Sequence, residues 1–371
     1  MIATSSPGRS PDISILLPDL RPGGAERVCV TLANAFADQG LAVDIVLRQN
    51  QGELLDSVSP AVAIHALGAR RVRDAFGPFV DYLKLARPRS VLAAMWPITS
   101  LAVAARALSG VPCRVVTSDH GVLSESGPGR PGLPRLAMTL SMRASYGRAD
   151  GIVGVSRGVA ADVAALAGLP LDRVTTIYNP ITPLPAPAAP DADILATWSG
   201  GGPRLVTVGT LKAVKDHATL LRALVQVRQA HDARLLVLGE GSERPKLEAL
   251  IAELRLTGVV QMPGFRPDPH GYVAHADAFV LSSLNEGFGN VLVEAMACGT
   301  PVISTDCPTG PGEILDGGRF GRLTPVGDAD ALATAILETL AAPPDPAALK
   351  LRSEAFSTAR AVSAYRRLLG V

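Results

Sequence analysis

Residues 12–48 read DISILLPDLRPGGAERVCVTLANAFADQGLAVDIVLR. DISILLPDL, residues 12–20, is a short apolar run of strand type, and Arg21 to Gly24 form a glycine-rich turn. AERVCVTLANAFADQG then repeats its apolar residues at helical spacing and stops at Gly40, and LAVDIVLR from Leu41 is a second strand. Strand, turn, helix, strand is a βαβ unit, which requires a parallel sheet and a right-handed crossover. The alternation continues through VLAAM (91–95), RVVTSD (114–119), GIVGVS (151–156) and VTTIY (174–178).

The pattern then breaks. NPITPLPAPAAPDAD, residues 179–193, carries prolines at 180, 183, 185, 187 and 190 and has little periodicity, as an extended connection does. It restarts with RLVTVGT (204–210), a helix from Asp216 to about Ala230, RLLVLGEG (234–241) and a helix from Glu243 to about Leu254. VVQMPG (259–264), AFVLSS (278–283), a helix from Asn290 and PVISTD (301–306) follow. The expected architecture is α/β, with two doubly wound Rossmann-like domains facing across a cleft. The expected boundaries are a disordered start at 1–11, an N-terminal domain at 12–182, a proline-rich linker at 183–200 and a C-terminal domain at 201–371. The last helix-like segment, Pro346 to Leu369, is able to pack on either domain.

A chain of 371 residues with 47% hydrophobic and 19% charged residues is globular and long enough for two cores. With 35 basic against 34 acidic residues it lacks the cationic excess of a dedicated nucleic-acid binder. Cys29, Cys113, Cys298 and Cys307 are scattered and form no CxxC pair, which argues against a disulfide framework or zinc ribbon and for a reducing, cytoplasmic setting. MIATSSPGRS has no apolar core of a signal peptide. The greasiest tract, VLAAMWPITSLAVAARAL (91–108), is interrupted by Pro97, Thr99, Ser100 and Arg106 and reads as a strand followed by a helix rather than a membrane span.

Ligands of open parallel sheets bind on the loops beyond the carboxyl ends of the strands. Four such loops carry chemistry. In PGGAER (22–27) adjacent glycines at a helix start let backbone amides approach an anion, although a tight turn would use the same residues. In VGTLKAVKDHATLL (208–221) Gly209 ends a strand, and Lys212 and Lys215 suit a phosphate or are simply solvated. In SSLNEGFGNVLVEAMACGTPVI (282–303) Glu286 and Glu294 lie eight apart, one on the loop and one a turn inside the helix, on the face of Asn290. Amides of that first turn suit phosphate oxygens and the carboxylates suit sugar or ribose hydroxyls, while capping glutamates are the plainer alternative. CPTGPGEIL (307–315) is a rigid turn that ends with Glu313 at a helix start.

EGFGNVLVEAMACGTPVISTD resembles the E-x7-E signature of the retaining glycosyltransferases of family 4, which have the two-Rossmann-domain B-type fold. GGAERV, DGIVGVSRGVA (150–160), YNP (178–180), VGTLKAVKDH, LGEG and CPTGPGEIL agree with it, so the resemblance runs from about residue 12 to 371. It implies that Glu286 contacts hydroxyls of a donor sugar and Glu294 the ribose of its nucleotide. It further implies that the backbone of Gly287, Phe288, Gly289, Asn290 and Val291 holds the diphosphate and that Lys215, next to Gly209, neutralises it. Pro263, Gly264 and Phe265 would frame the base, Gly23 and Gly24 would close over the phosphates, and His120, in SDHG, would line the reaction centre. One departure is Thr210, where the family often has an arginine on the diphosphate; Lys212 is the available replacement.

The implied reaction moves a hexose or N-acetylhexosamine from a nucleotide-diphosphate sugar, UDP by family frequency, to a carbohydrate or lipid-linked acceptor hydroxyl with retention. The setting it implies is surface polysaccharide or lipid-linked glycan synthesis. No cofactor beyond the donor and no metal is expected: Asp191–Asp193 and Asp328–Asp330 read as linker polarity and a helix cap. No GxxxxGK[ST] occurs, which excludes a P-loop enzyme. Residues 66–150 hold 12 Lys/Arg and 5 Asp/Glu, and within them 131–148 mix Leu133, Leu136, Met138, Leu140 and Met142 with Arg135, Arg143 and Arg148. That composition suits either an anionic membrane surface on the inner face of the plasma membrane or a core helix with a basic outer side. A sugar-nucleotide epimerase of the same architecture and an inactive nucleotide-sugar binding protein are the alternatives.

Overall fold

The computed structural model describes residues 10–125, 133–181, 189–198 and 200–371. Residues 1–9 of the expected disordered start, 131–132 of the basic segment, and 183–188 and 199 of the expected linker lie outside the described residues. The chain forms two compact units, residues 1–182 with 357–371, and residues 183–356.

The first unit is built on β1 (Ile13–Leu17), β2 (Val43–Leu47), β3 (Val62–Ala66), β4 (Ser90–Ala94), β5 (Arg114–Asp119), β6 (Gly151–Gly154) and β7 (Thr175–Thr176). Their order is β3-β2-β1-β4-β5-β6-β7, and every pair is parallel. β1 and β2 run in register from Ile13 opposite Val43 to Leu17 opposite Leu47. All five residues of β1 are buried, the signature of a parallel strand covered by helices on both faces. The edge strand β3, VAIHA, escapes the sequence pattern because only Val62 in it is fully buried.

The core of this unit joins Ile13, Ile15 and Leu17 to Val28, Leu32 and Phe36 of the helix Gly24–Asp38, and to Val362, Tyr365 and Leu369. These last residues come from the chain terminus. The segment expected as one helix over 346–369 is two, Pro346–Ser353 and Thr358–Leu369, parted by a 3-10 turn at Glu354–Phe356. The second unit therefore ends at Phe356, and not at 371. The apolar stripe of the final helix completes the first core instead, where Tyr365 Oη meets Ser118 Oγ at 2.9 Å and Arg114 Nε donates to Leu368 O at 3.1 Å.

The second unit holds β8 (Arg204–Val208), β9 (Arg234–Leu238), β10 (Val260–Gly264), β11 (Ala278–Leu281), β12 (Val302–Thr305) and β13 (Arg322–Thr324), in the order β10-β9-β8-β11-β12-β13 and again all parallel. The chain leaves β8 in one direction and returns through β11 on its other side. The sheet thus has a switch point between β8 and β11, where successive loops part and leave a crevice. Leu205, Leu220, Leu224, Leu235, Val280, Ile303, Leu332 and Ile336 make its core.

The linker expected over 183–200 is not extended throughout. Past Pro190 the chain forms the helix Ala192–Trp198, because Trp198 is fully buried and its Nε1 donates to Leu205 O at 3.1 Å. Asp191, read as linker polarity, accepts from Tyr272 Oη at 2.7 Å and Arg266 Nε at 3.3 Å, so it anchors this entry to the second unit. Asp328 does cap a helix, accepting from the Ala331 amide at 2.9 Å. Trp198→Ala leaves a large cavity and removes the bond to Leu205 O; it should destabilise the second unit by about 3–5 kcal/mol, read as a lowered urea midpoint for its unfolding.

Candidate active site

At the switch point of the second sheet, two loops face each other. The loop after β8 carries Gly209, Thr210, Lys212 and, in a 3-10 turn Ala213–Lys215, Lys215; the loop after β11 carries residues 282–289 and leads into the helix Asn290–Cys298. Lys215 Nζ lies 2.5 Å from Glu286 Oε1, with the two side chains 19% and 10% exposed. The same carboxylate oxygen accepts from Ser283 Oγ at 2.6 Å. Ser282 Oγ donates to Lys215 O at 3.0 Å and the Leu284 amide to Val214 O at 2.8 Å. Sequence put Lys215 and Glu286 seventy-one residues apart, and the topology makes them an ion pair. Thr210 and Lys212 are both exposed, and neither stands in this pair.

Glu286 sits on a loop whose shape is set from below. Gly289 caps the helix Asn290–Cys298 at φ 102°, a left-handed conformation that a side chain would strain, and no side chain caps that helix start. Phe288 is buried, its ring 5.5 Å from that of Phe356, so the stretch Gly287–Val291 turns backbone rather than an aromatic side chain to any ligand. The CPTGPGEIL turn locks onto this loop. Thr309 Oγ1 donates to the Glu286 carbonyl, and Gly310 passes so close that a Cβ there would stand 1.8 Å from Phe288 O. Arg352 closes the other end: it donates to Ile314 O at 2.9 Å and Glu313 O at 2.7 Å, with its guanidinium over the rings of Phe320 and Phe356.

Glu294, one turn inside the helix, is 16% exposed and 3.8 Å from His270 Nε2. Gly264 ends β10 at φ 89° beside Glu240, and the Phe265 ring that follows is 53% exposed. His217, at the start of the helix His217–Ala230, was missed in the sequence. Burial and the neighbouring charge of Lys215 bring its pKa down to about 4, so it is neutral beside the ion pair. His270 was missed as well, since nothing in PDPHGY connects it to a glutamate twenty-four residues on.

Three expected site residues lie in the first unit. Gly23 caps and Gly24 opens the helix after β1, next to Asp19, which binds Arg21 and Arg48. His120 follows β5; its Nε2 is 3.1 Å from Ser118 Oγ, which also meets Tyr365. Burial brings the His120 pKa down to about 4 against the opposing pull of Asn179, so its ring too is neutral near pH 7. Its neighbour Asp119 is fully buried, and burial raises that pKa to about 7 against a 2.8 Å hydrogen bond from Tyr146 Oη. The remaining expected residues, Gly209, Lys215, Gly264, Phe265, Glu286–Val291 and Glu294, all belong to the second unit. Among the described residues no group of three or more His, Cys, Asp or Glu is placed to hold a metal ion.

Comparison with known proteins bears on this arrangement. Residues 22–183 match the family described as Glycosyltransferase Family 4, and residues 202–342 match Glycosyl transferases group 1. An N-acetylgalactosamine-N,N'-diacetylbacillosaminyl-diphospho-undecaprenol 4-alpha-N-acetylgalactosaminyltransferase of Campylobacter jejuni is 38% identical over 128 residues, a match spanning 34% of each chain and so about a third of that relative's length. The lipopolysaccharide core biosynthesis glycosyltransferase LpsE of Rhizobium meliloti is 29% identical over 86% of both chains. Among solved structures, Anabaena Alr3699/HepE in complex with UDP superposes with a TM-score of 0.76 at 20% identity, covering 97% of this chain and 98% of its own. The shared architecture is the B-type fold of glycosyltransferases.

The buried His217 gives this site a signature in acid. A neutral imidazole held near 4 takes up its proton more readily in the unfolded chain, whose histidines titrate near 6.5. The unfolded state therefore binds more protons in that window, and the stability present above 6.5 is lost as pH falls toward 4. His217→Phe should flatten this loss: the drop in urea midpoint between the two pH values should be smaller in the variant than in the parent.

Proposed function

The chain belongs to the family 4 glycosyltransferases, and on that premise we propose that it transfers a hexose or N-acetylhexosamine from a nucleotide-diphosphate sugar to a glycan hydroxyl with retention of configuration. The observation that carries this reading is the Lys215–Glu286 pair at the switch point, with Glu294 one helical turn further. A lysine and a helix start with glycine at its N-cap suit a diphosphate, and two carboxylates, one on the loop and one a turn inside the helix, suit the hydroxyls of its sugar and ribose. In the reaction proposed, the bond between the anomeric carbon and the diphosphate oxygen breaks as the acceptor oxygen attacks the same face. The departing diphosphate takes the acceptor's proton, and Lys215 with the backbone of Gly287–Val291 stabilises its charge. Glu286 orients the sugar. No cofactor or metal enters this scheme. UDP is the nucleotide first to be tried, since the Anabaena neighbour is described with UDP and the relatives' names place them in lipopolysaccharide or lipid-linked glycan synthesis.

The acceptor side of the proposal rests on the helix Leu133–Ser145. Met138 and Met142 of this helix are buried, whereas Leu136 and Leu140, one turn apart, are each 55% exposed alongside exposed Arg135 and Arg143. Arg148 is spent locally, on the carbonyl of Ala144. Among the described residues no helix is long and apolar enough to cross a membrane, so the contact proposed is a surface one.

Two measurements test the reading. Thermal unfolding with UDP, GDP, ADP and their sugar conjugates should show a raised Tm with one nucleotide; saturation at a hundred times the dissociation constant adds about 2.7 kcal/mol. Glu294→Ala should erase that shift, and product analysis with the matching donor should find transferred sugar, not an isomerised nucleotide. Sedimentation with vesicles should retain the chain on anionic but not on neutral phospholipid, and Leu136→Ser with Leu140→Ser should release it. Equal retention of parent and double variant would remove the membrane contact from the proposal.

A further inference from the structure

His270 stands between two carboxylates. It opens the short helix His270–Ala274, and Asp268 fixes that start: its Oδ1 accepts from the His270 amide at 3.0 Å and lies 2.7 Å from ring Nδ1. On the other side of the ring, Nε2 is 3.8 Å from Glu294 Oε2, beyond hydrogen-bond length and within reach of an ion pair. The imidazole and Glu294 are 17% and 16% exposed, whereas Asp268 is 46% exposed. The short helix is tied to the one that carries Glu294: Thr300 Oγ1 donates to Val273 O at 2.7 Å and Cys298 Sγ approaches His270 O at 3.8 Å. The ring and the carboxylate are thereby held by the same small block of structure.

We propose that His270 is a positioning residue for Glu294, engaging one carboxylate oxygen so that the other is presented to the hydroxyls of a nucleotide. The proposal rests on the assignment of Glu294 made above. The chemistry follows from proton bookkeeping on one ring. With Nδ1–H committed to Asp268, a second proton on Nε2 points to Glu294, and the doubly protonated ring is a cation flanked by two anions. Burial alone would lower the pKa of this imidazole, but Glu294 and Asp268 outweigh it and hold it above the ordinary histidine value. The other titratable or charged groups that reach the cluster are Cys298 and Lys350, the latter on the helix Pro346–Ser353 beside Gly299; His275 is turned to Gly271 O at 2.7 Å. As pH rises through the raised pKa the ring loses its charge, Glu294 loses its partner, and nucleotide binding weakens.

Histidine NMR of the full chain reads the coupling directly. The titration midpoint of His270 should fall in Glu294→Gln and again in Asp268→Asn, a conservative change at a half-exposed site. Calorimetry with UDP (or with GDP or ADP, should the thermal shifts select one of them) should find His270→Phe weaker by about tenfold at neutral pH, the worth of one charge-assisted contact. Its pH dependence should be gone, and His270→Gln, which restores a donor, should recover part of the affinity. In turnover the loss should fall on the donor KM with kcat little changed. An unmoved His270 midpoint in Glu294→Gln overturns the proposal, as does parental affinity in His270→Phe while Glu294→Ala abolishes binding. Either result leaves the glycosyltransferase site standing. If Glu294→Ala itself binds UDP as the parent does, the assignment of Glu294 fails, and this inference with it.

Discussion

The ion pair between Lys215 and Glu286 is the contact on which the second unit's candidate site depends. It joins the two loops that part at the switch point, so it spans the place where a doubly wound sheet leaves its crevice. A pair this far removed from water contributes little net stability, because desolvation offsets most of the attraction. Its effect is geometric. Ser283 Oγ on the same carboxylate oxygen holds the Glu286 side chain, and Ser282 Oγ on the carbonyl of Lys215 fixes the lysine's backbone. Removing either partner would strand a charge at the sheet's edge, where His217 is held neutral by the same burial.

The loop that carries Glu286 is no more independent than its side chain. The Phe288 ring serves as an anchor, Gly310 passes where no other residue fits, and Arg352 fastens the carbonyls of Glu313 and Ile314 while stacking on Phe320 and Phe356. EGFGN and CPTGPGEIL, separate in the sequence, are thus one piece of packing. That explains the glycine at 310: it packs backbone against the backbone of Phe288, and a side chain there would push the loop that carries Glu286 out of place.

The fold was legible because parallel strands leave a strong trace. ISILL, VDIVL and SVLAA are buried on every residue, and such runs alternating with helical spacing admit few topologies. β3 and β13 were not legible, since VAIHA and RLT lie at sheet edges and bury only part of their length. The linker was misread past Pro190 because local composition speaks for proline, whereas the burial of Trp198 is a tertiary effect that composition does not record. The destination of the last helix was left open for the same reason: its apolar stripe is visible in TARAVSAYRRLL, and which core it fills is decided by the fold. In the candidate site, Glu286, Lys215 and Glu294 were singled out from motif and spacing, and the structure brings Lys215 and Glu286 into contact, with Glu294 in the helix that follows. His217 and His270 were not singled out, because each acquires meaning only through a neighbour brought to it by the topology.

Thr210 changes the electrostatics of the proposed diphosphate site in a way the geometry makes explicit. With no arginine at that position, and with Lys212 exposed and outside the pair, the charge nearest the crevice is the ammonium of Lys215. That charge is already matched by Glu286, so the centre is neutral before an anion arrives. A diphosphate must therefore share Lys215 with the carboxylate rather than meet an unopposed cation. The other positive feature there is the start of the helix Asn290–Cys298, whose dipole end acts as about half a positive charge and has a glycine at its N-cap. Glu286 can yield its share of the lysine without being stranded, because Ser283 Oγ still donates to it and a sugar hydroxyl can replace the ammonium. On the proposed assignment the diphosphate and the sugar would not be bound independently: the sugar's hydroxyls would reach Glu286 as the phosphate took over Lys215. On the same assignment, a nucleotide diphosphate without its sugar would gain the lysine and leave Glu286 with Ser283 Oγ alone, whereas the intact donor would supply a hydroxyl in the lysine's place.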